Sequence, residues 1–351
     1  MKKRLLYLIL LSLPLQAVYA QVLKGVVIDS ATKESVINAN VYLEGTAYHT
    51  ITDADGRFEL PVKQRLNTKL IISHVVYETL IFANPFDQLP ETMVMKEKEN
   101  RFDEVVVDTD SPFSRKQMMQ AFKREFLGTT NAGRACVIQN EEDIYFYYNK
   151  EKKTLHAFCH KPIVVNNKTL GYLVTVELNE FKAQYQAVTL LSSDIESVLY
   201  LGYMSFHDTS KGNASIKKKR RNTYLGSSTE FFRYLVRQQL NDSRYYMQPL
   251  NRPEEMFVVE SIPLNDWQKK VTLHTDLLAY LDPHYATRKS PKAEIIVQNE
   301  RVPSEVSNIR FLKLTFKADT YGNLEDARDV LVSGSMAHKR IGDTLPKEYE
   351  P

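Results

Sequence analysis

Thr52-Asp53-Ala54-Asp55-Gly56-Arg57-Phe58-Glu59-Leu60 decides the fold class of the N-terminal part of the chain. From Arg57 to Leu60 charged and apolar side chains alternate, which is the period of a half-buried β-strand. The residues before it favour a tight turn, because an Asp carboxylate accepts hydrogen bonds from backbone amides and Gly tolerates a positive φ. We therefore predict a hairpin turn made by Asp53, Asp55 and Gly56. A calcium loop is excluded, because aligning Gly56 with the glycine of an EF-hand puts apolar residues at the first and last ligand positions.

Short β-type runs flank this turn on both sides. Val22 to Ile28, Val36 to Leu43, Leu70 to Val76 and Thr92 to Met95 are rich in β-branched and apolar residues. Asp, Asn and Gly separate them at spacings of about ten residues, as in all-β domains. No segment here has a helical period, so a nucleotide-binding α/β fold is excluded for this part. The pattern predicts a small β-sandwich over residues 21–97.

These segments together resemble the carboxypeptidase regulatory-like domain family. The likeness is carried by Gly25-Val26-Val27-Ile28-Asp29, Asn38-Ala39-Asn40-Val41-Tyr42-Leu43, Thr52 to Leu60 and Ile72-Ser73-His74-Val75-Val76-Tyr77. The resemblance implies a transthyretin-like sandwich of seven strands, placed at the N-terminus of exported envelope proteins and TonB-dependent receptors. It implies no peptidase activity, because the domain is an accessory without catalytic residues. The chain that follows is too short for the plug and barrel of such receptors, and we expect neither.

Residues 1–20 have the composition of an export signal. Lys2 to Arg4 are basic, Leu5 to Leu15 are mostly apolar, and small residues end at Ala20. An export peptidase cuts after such a sequence, while the apolar run is much shorter than the roughly 20 residues of a spanning helix. We expect cleavage between Ala20 and Gln21. The mature protein is then expected in the periplasm or at the outer-membrane periphery of a Gram-negative bacterium.

The distribution of charge excludes one class of partner. The 351 residues carry a formal net charge of +3, and the first 20 residues hold the whole surplus. A neutral body argues against nucleic acid as a partner, because phosphate binding requires an excess of cations. The strongest cluster is Lys217-Lys218-Lys219-Arg220-Arg221. We predict that it is a solvated turn, and contact with an anionic membrane surface is the alternative.

The rest of the chain predicts an α+β module. After a linker at residues 98–113, Ser114 and Gln117 have the spacing of a helix capping box, and so do Ser227 and Glu230. Between them, residues 144–206 alternate with the period of antiparallel strands. We therefore predict an antiparallel sheet with two amphipathic helices over residues 114–320, followed by a C-terminal tail at residues 321–351.

The two cysteines, Cys136 and Cys159, have two interpretations. Export to an oxidising compartment permits a disulfide between them. Alternatively, both are thiols that pack as small apolar side chains. Spacing in the sequence does not decide between the two.

The sequence contains no recognised catalytic motif. His156 and His160 are four apart, but they lie in a β-type segment that would separate them by about 13 Å, so neither metal nor any other cofactor is predicted. The 20 Tyr and 16 Phe permit an exposed aromatic surface, because in Tyr147-Tyr148 and Tyr245-Tyr246 one ring of each pair must face away from the core. We predict a non-catalytic envelope protein that binds an envelope protein or glycan. The alternative is a hydrolase with its site in the second module.

Overall fold

The computed structural model describes residues 21–98, 111–248, 260–273 and 293–351. The predicted export signal and most of the predicted linker lie outside these residues. Within them, strands form several sheets, and four α-helices accompany them. The chain is mostly β-structure, in agreement with the predicted fold class.

The N-terminal domain is a sandwich of seven strands, as predicted. One sheet has the order β4-β1-β7 and the other β3-β2-β5-β6, with β7 parallel to β1 and all other pairs antiparallel. Alternating apolar side chains from both sheets fill the space between them. The strands are β1 (Gln21–Asp29), β2 (Asn40–Leu43), β3 (His49–Ile51), β4 (Arg57–Val62), β5 (Leu70–Ser73), β6 (Leu80–Phe82) and β7 (Thr92–Met95).

The predicted turn at Asp53 forms, but it does not close a hairpin. Asp53 Oδ1 accepts hydrogen bonds from the backbone N–H groups of Asp55 (2.9 Å) and Arg57 (2.8 Å). Gly56 has φ +70°, and a Cβ at this position would lie 2.4 Å from the carbonyl oxygen of Val27. The turn joins β3 to β4, which belong to different sheets. It is therefore the crossing between the two layers of the sandwich.

A central unit follows the sandwich. Its longest strands, β12 and β13, pair along their whole length, while β11 and β10 lie end to end on the other side of β12, with β8 and β9 outside them. All pairs are antiparallel, as predicted for this region. The elements are α1 (Arg115–Leu127), α2 (Asn131–Arg134), β8 (Cys136–Ile138), β9 (Ile144–Asn149), β10 (Thr154–Cys159), β11 (Ile163–Asn167), β12 (Tyr172–Tyr185) and β13 (Ile195–Asp208).

Helix α1 begins at the capping box that the sequence predicts. Ser114 and Gln117 form the complete capping box, and Gly128 is the C-cap. Phe122 and Phe126 are fully buried and stack on each other with ring centroids 4.8 Å apart. They cover one face of the central sheet and form its apolar core.

A C-terminal unit with its own apolar core completes the fold. It contains two small antiparallel sheets, in the orders β14-β17-β18-β20 and β15-β16-β19. Phe231 and Leu235 of helix α4 share one apolar core with Phe311 of the first sheet and Phe316 of the second. The predicted single module thus contains two separate cores. The elements are α3 (Ala214–Tyr224), α4 (Ser228–Arg237), β14 (Tyr245–Gln248), β15 (Glu260–Pro263), β16 (Gln268–Thr272), β17 (Ala293–Asn299), β18 (Val306–Phe311), β19 (Thr315–Asp319) and β20 (Val330–Gly334).

The basic cluster Lys217-Lys218-Lys219-Arg220-Arg221 lies in α3, so the prediction of a solvated turn is wrong. The helical period turns Arg220 inward, where it is buried. Its guanidinium donates to both carboxylate oxygens of Asp208 at 2.8 and 2.9 Å and lies 3.7 Å from the ring centre of Tyr172. The other four cations of the cluster are exposed, so the helix turns only one of the five toward the interior.

Residues 321–351 are not a tail. They contain β20, and residues 339–351, which we call the C-terminal strap, contact all three units. Ile341 is fully buried in the core of the central unit. The backbone N–H of Lys347 donates to the carbonyl oxygen of Gly45 in the sandwich at 2.8 Å. The Arg233 guanidinium of α4 donates to the carbonyl oxygen of Tyr349 at 2.8 Å.

Candidate functional site

The central sheet has two faces with different surroundings. Side chains that point toward α1 are buried, whereas alternate residues of β12, such as Thr175, Glu177, Glu180 and Lys182, point to the opposite side and are only half-buried. We call this opposite side the outer face. Within the described ranges, helix α1 packs on the other face, and parts of the outer face are exposed.

The sandwich covers one half of the outer face. The Tyr42 hydroxyl donates to Glu177 Oε1 at 2.8 Å, and the Thr79 hydroxyl donates to Glu177 Oε2 at 3.2 Å. Burial and the Glu177 carboxylate raise the pKa of Tyr42, so its hydroxyl keeps the proton that it donates. Nearby, the Lys69 ammonium lies 5.9 Å from the ring centre of Tyr203. This half of the outer face is therefore a contact surface within the molecule.

The other half of the outer face carries a row of rings that we call the aromatic strip: Tyr145, Tyr147, His156 and Phe158. Tyr145 pairs with Phe158 across β9 and β10, and the two rings stack with centroids 5.9 Å apart and planes 13° apart. Tyr147 pairs with His156, with centroids also 5.9 Å apart. Tyr145 is 39% exposed. The strip thus presents ring faces and edges to the solvent in a shallow, open arrangement.

Two exposed leucines continue this row across the sheet. His156 lies beside Lys182, which pairs with Leu199 of β13, and Glu180 pairs with Leu201. Leu199 and Leu201 are 44% and 51% exposed. Lys182 and Glu180 form an ion pair between the rings and the leucines. Aromatic and aliphatic surface around one neutralised charge pair is the composition of a protein-binding patch, rather than that of a buried reaction centre.

The two histidines of the predicted strand do not form a metal site. His156 is half-buried, and burial followed by the nearby Lys182 ammonium lowers its pKa, which keeps the ring neutral at pH 7. His160 packs on Tyr145 with centroids 5.7 Å apart. In the part of the chain that the structure describes, no three His, Cys, Asp or Glu side chains are close enough to hold a metal ion.

Cys136 and Cys159 are free thiols in the structure, so the disulfide interpretation does not hold there. Cys136 pairs with Asn167, which pairs with Tyr172, the first residue of β12. Cys159 lies on β10, level with a position on β12 about seven residues further along. At about 3.3 Å per residue this is roughly 23 Å, far more than a disulfide can span. Burial raises the pKa of Cys136 to about 12, which makes it unreactive.

A cavity of about 700 Å³ lies between the sandwich and the C-terminal unit. Phe86 and Trp267, whose ring centroids are 6.2 Å apart, line one part of it. The charged groups of the lining include Lys347 and Glu44, which form an ion pair with each other. This cavity marks the junction of two units, and none of the residues of the aromatic strip lines it.

Part of the strip is predictable from the sequence. One ring of each tyrosine pair was predicted to face away from the core, and this is confirmed: Tyr148 and Tyr245 are buried, while Tyr147 and Tyr246 are half-exposed. Phe158 was not predicted, because its exposure depends on which strand lies beside it. The pairing of β9 with β10, and not the sequence of either strand, brings the rings together.

Comparison with known proteins identifies the class of the N-terminal part, and that part only. Residues 23–107 match the CarboxypepD_reg-like domain family, which describes a regulatory-like and not a catalytic domain. Residues 23–107 are therefore a carboxypeptidase regulatory-like domain, as the sequence resemblance implied.

More particularly, the TonB-dependent receptor SusC of Bacteroides thetaiotaomicron is 38% identical over 88 residues. The match covers 24% of this chain and 8% of the receptor. Together the two matches mark the N-terminal part as an envelope-associated β-domain.

A solved structure, the 9R-lipoxygenase from Cyanothece PCC8801, is 10% identical and covers 62% of this chain and 48% of its own, with a TM-score of 0.17. A likeness this low supports no conclusion about fold or function. None of the helices in the described ranges has the length and apolar character needed to cross a membrane.

Proposed function

We propose that this protein is a non-catalytic binding module of the Gram-negative envelope, and that it holds another envelope protein on the aromatic strip. The observation that carries the proposal is the pair of stacked rings, Tyr145 on Phe158, left open on a sheet face whose other half already binds a folded domain. Aromatic side chains are enriched at protein interfaces because they bury a large apolar area at a small cost in conformational entropy.

The shape of the strip favours binding over hydrolysis. A hydrolase needs a nucleophile and a base in a recess that excludes water, whereas the strip is an open row on a sheet. Its imidazole, His156, is packed against Tyr147, and the adjacent carboxylate Glu180 is paired with Lys182. These groups are already engaged in packing and charge pairing. A glycan is the other class of ligand that ring faces accept, and the experiment below separates the two.

The proposed location rests on two independent features. Residues 1–20 have the pattern of an export signal, with cleavage expected between Ala20 and Gln21. The regulatory-like domain that follows is similar to a segment of a TonB-dependent receptor. We propose that the mature protein works in the periplasm or at the periphery of the outer membrane.

Site-specific photo-crosslinking in intact cells tests the proposal. A photoreactive phenylalanine analogue replaces Tyr145 in one strain and Leu331 in a control strain, since Leu331 is 51% exposed on β20 of the C-terminal unit. We expect a discrete protein adduct from position 145 and none from position 331. Adding Phe158→Ser should abolish the adduct without changing the melting temperature of the protein.

Two results would contradict the proposal. Equal adducts at positions 145 and 331 would show random collision, and an adduct that persists with Phe158→Ser would show that the strip does not carry the binding. Protection of position 145 by added envelope polysaccharide would assign the strip to a glycan. Turnover of a peptide, ester or glycan substrate by the purified protein would support the hydrolase alternative.

A further inference from the structure

Strand β13 has an outer edge whose two parts differ. At its C-terminal part the sandwich pairs with it: the Gly45 N–H donates to the Met204 carbonyl at 2.7 Å, and the Phe206 N–H donates to the Thr46 carbonyl at 2.9 Å. Thr46 and Ser205 form a parallel bridge there. From Glu196 to Gly202, no backbone group of the described residues pairs with this edge.

The open part has few of the features that usually protect an edge strand: its one charged residue, Glu196, is left as an extra residue by a second register shift at its N-terminal end. Glu196-Ser197-Val198-Leu199-Tyr200-Leu201-Gly202 contains one charge, no Lys and no Pro. Natural sheets block their edges with charges, prolines, bulges or covering loops, because unpaired N–H and C=O groups recruit another strand. By contrast, the edge strand β9 is blocked at its start, where the Arg115 guanidinium donates to the carbonyl oxygen of Ile144 at 2.6 Å.

A bulge separates the covered part of this edge from the open part. The register between β12 and β13 shifts between Leu178 and Glu180, which leaves Asn179 as an extra residue. Gly202 lies at this point, where a Cβ would come within 2.3 Å of the carbonyl oxygen of Glu177. A bulge bends the strand. The open part therefore starts beside this irregularity of the β12–β13 pair.

We propose that a second copy of this chain adds its own β13 to the open edge, antiparallel and related by a two-fold axis. An antiparallel edge is complementary to itself, so one surface serves both copies. With the two-fold axis at Leu199, Ser197 of one copy faces Leu201 of the other, and no like charges oppose each other. The neighbouring part of the same edge already pairs with another chain segment through Met204 and Phe206, so the proposed strand would continue an existing mode of pairing.

This pairing has a consequence for binding. A two-fold axis perpendicular to the sheet keeps the same face of both copies on the same side. The two aromatic strips then lie on one continuous surface, with the exposed Leu199 and Leu201 of both copies between them. Such a dimer presents two identical sites to one partner or array, which raises the apparent affinity through effective concentration.

The test uses the mature full-length protein, Leu199→Lys and Leu331→Lys, with sedimentation velocity as the measurement. At the two-fold axis, two lysines at position 199 would oppose each other. We therefore expect the dimer dissociation constant to rise at least tenfold, which corresponds to a loss of about 1.4 kcal/mol in the free energy of dimerisation. Leu331 has similar exposure on the edge strand β20, and its replacement should leave the constant unchanged. Thermal melts of both variants check that each is folded.

A second variant reports the geometry directly. Leu199→Cys should form a disulfide-linked dimer on a non-reducing gel, whereas Leu331→Cys should not; the native Cys136 and Cys159 are buried and half-buried. A wild-type protein that sediments as a monomer at about 100 µM would overturn the proposal. A dimer that is unaffected by Leu199→Lys would overturn it equally, because the interface would then lie elsewhere.

Discussion

The backbone N–H of Asn67 donates to Asp319 Oδ2 at 3.0 Å, across a sequence separation of 252 residues. Asp319 is fully buried, and it also accepts hydrogen bonds from the backbone N–H groups of Tyr321 and Asn323, each at 2.9 Å. The side-chain amide of Asn67 donates to the carbonyl oxygen of Asn323 at 3.0 Å. One carboxylate of the C-terminal unit thus fixes both its own turn and a loop of the sandwich.

Replacing Asp319 should loosen this junction. Asp319→Ala leaves the backbone donors of Asn67, Tyr321 and Asn323 without their acceptor, and we expect a loss of about 3 kcal/mol in the free energy of unfolding. Urea denaturation measures the loss. Asp326→Ala, which removes a partly exposed carboxylate bonded to Arg328, is the control and should cost less than about 1 kcal/mol. Equal losses for both variants would refute the junction role of Asp319.

The pair of Asp208 and Arg220 predicts a specific response to acid. Hydrogen bonds from Arg220 hold the pKa of Asp208 well below its usual range. The stability that this pair contributes is therefore fully present above the ordinary Asp pKa of about 4, and it is lost as the pH falls through the lower pKa of the folded state.

Asp208→Asn should remove this part of the acid response. We expect a loss of about 1 kcal/mol at pH 7, because the Asp208 side chain is 46% exposed, and a smaller difference from wild type at pH 3. Chemical denaturation at both pH values measures the two differences. A difference that is the same at pH 7 and pH 3 would contradict the charge pairing.

The C-terminal strap should be essential for stability. Ile341 is fully buried in the core of the central unit, so Ile341→Ala is expected to cost about 3 kcal/mol through lost burial and the cavity left behind. Leu331→Ala, at a half-exposed position, should change the free energy of unfolding by no more than about 0.5 kcal/mol. Thermal unfolding compares the two. A strap that merely rests on the surface would give two small and similar losses.

The two cysteines should behave as protected thiols. Burial raises the pKa of Cys136 to about 12, and burial also raises the pKa of Cys159. Iodoacetamide at pH 8 should therefore leave both unmodified in the native protein and label both in urea, because the thiolate is the reactive form. Intact mass spectrometry reads out the labels. A gain of two hydrogens on reduction would instead establish a disulfide.

Local features of the fold were predictable from sequence where one short segment determines them. The capping box of Ser114 and Gln117 and the turn at Asp53 depend on residues within a few positions of each other, and both form. The sandwich was recognised because its strands repeat at short intervals. The prediction that the turn at Asp53 closes a hairpin was wrong, because the assignment of β3 and β4 to different sheets depends on distant pairing partners.

Features that depend on contacts between units could not be predicted. Nothing near Arg220 in the sequence indicates that Asp208 and Tyr172 will surround it. Similarly, polar residues such as Lys347 suggest an exposed tail, although the backbone of Lys347 bonds to Gly45 of the sandwich. The aromatic strip is intermediate, since outward-facing tyrosines were predictable, while their stacking on Phe158 required the register of two strands.

The C-terminal strap also constrains when the native structure can be completed. Its residues leave the ribosome after every other described part of the chain, yet Ile341 fills the central core and Lys347 bonds to the sandwich. The contacts that the strap makes with the three units therefore form only after the rest of the described chain has been synthesised. Before the strap docks, the central core lacks Ile341 and the sandwich lacks its bond to Lys347, so the three units are expected to be less firmly joined than in the native structure.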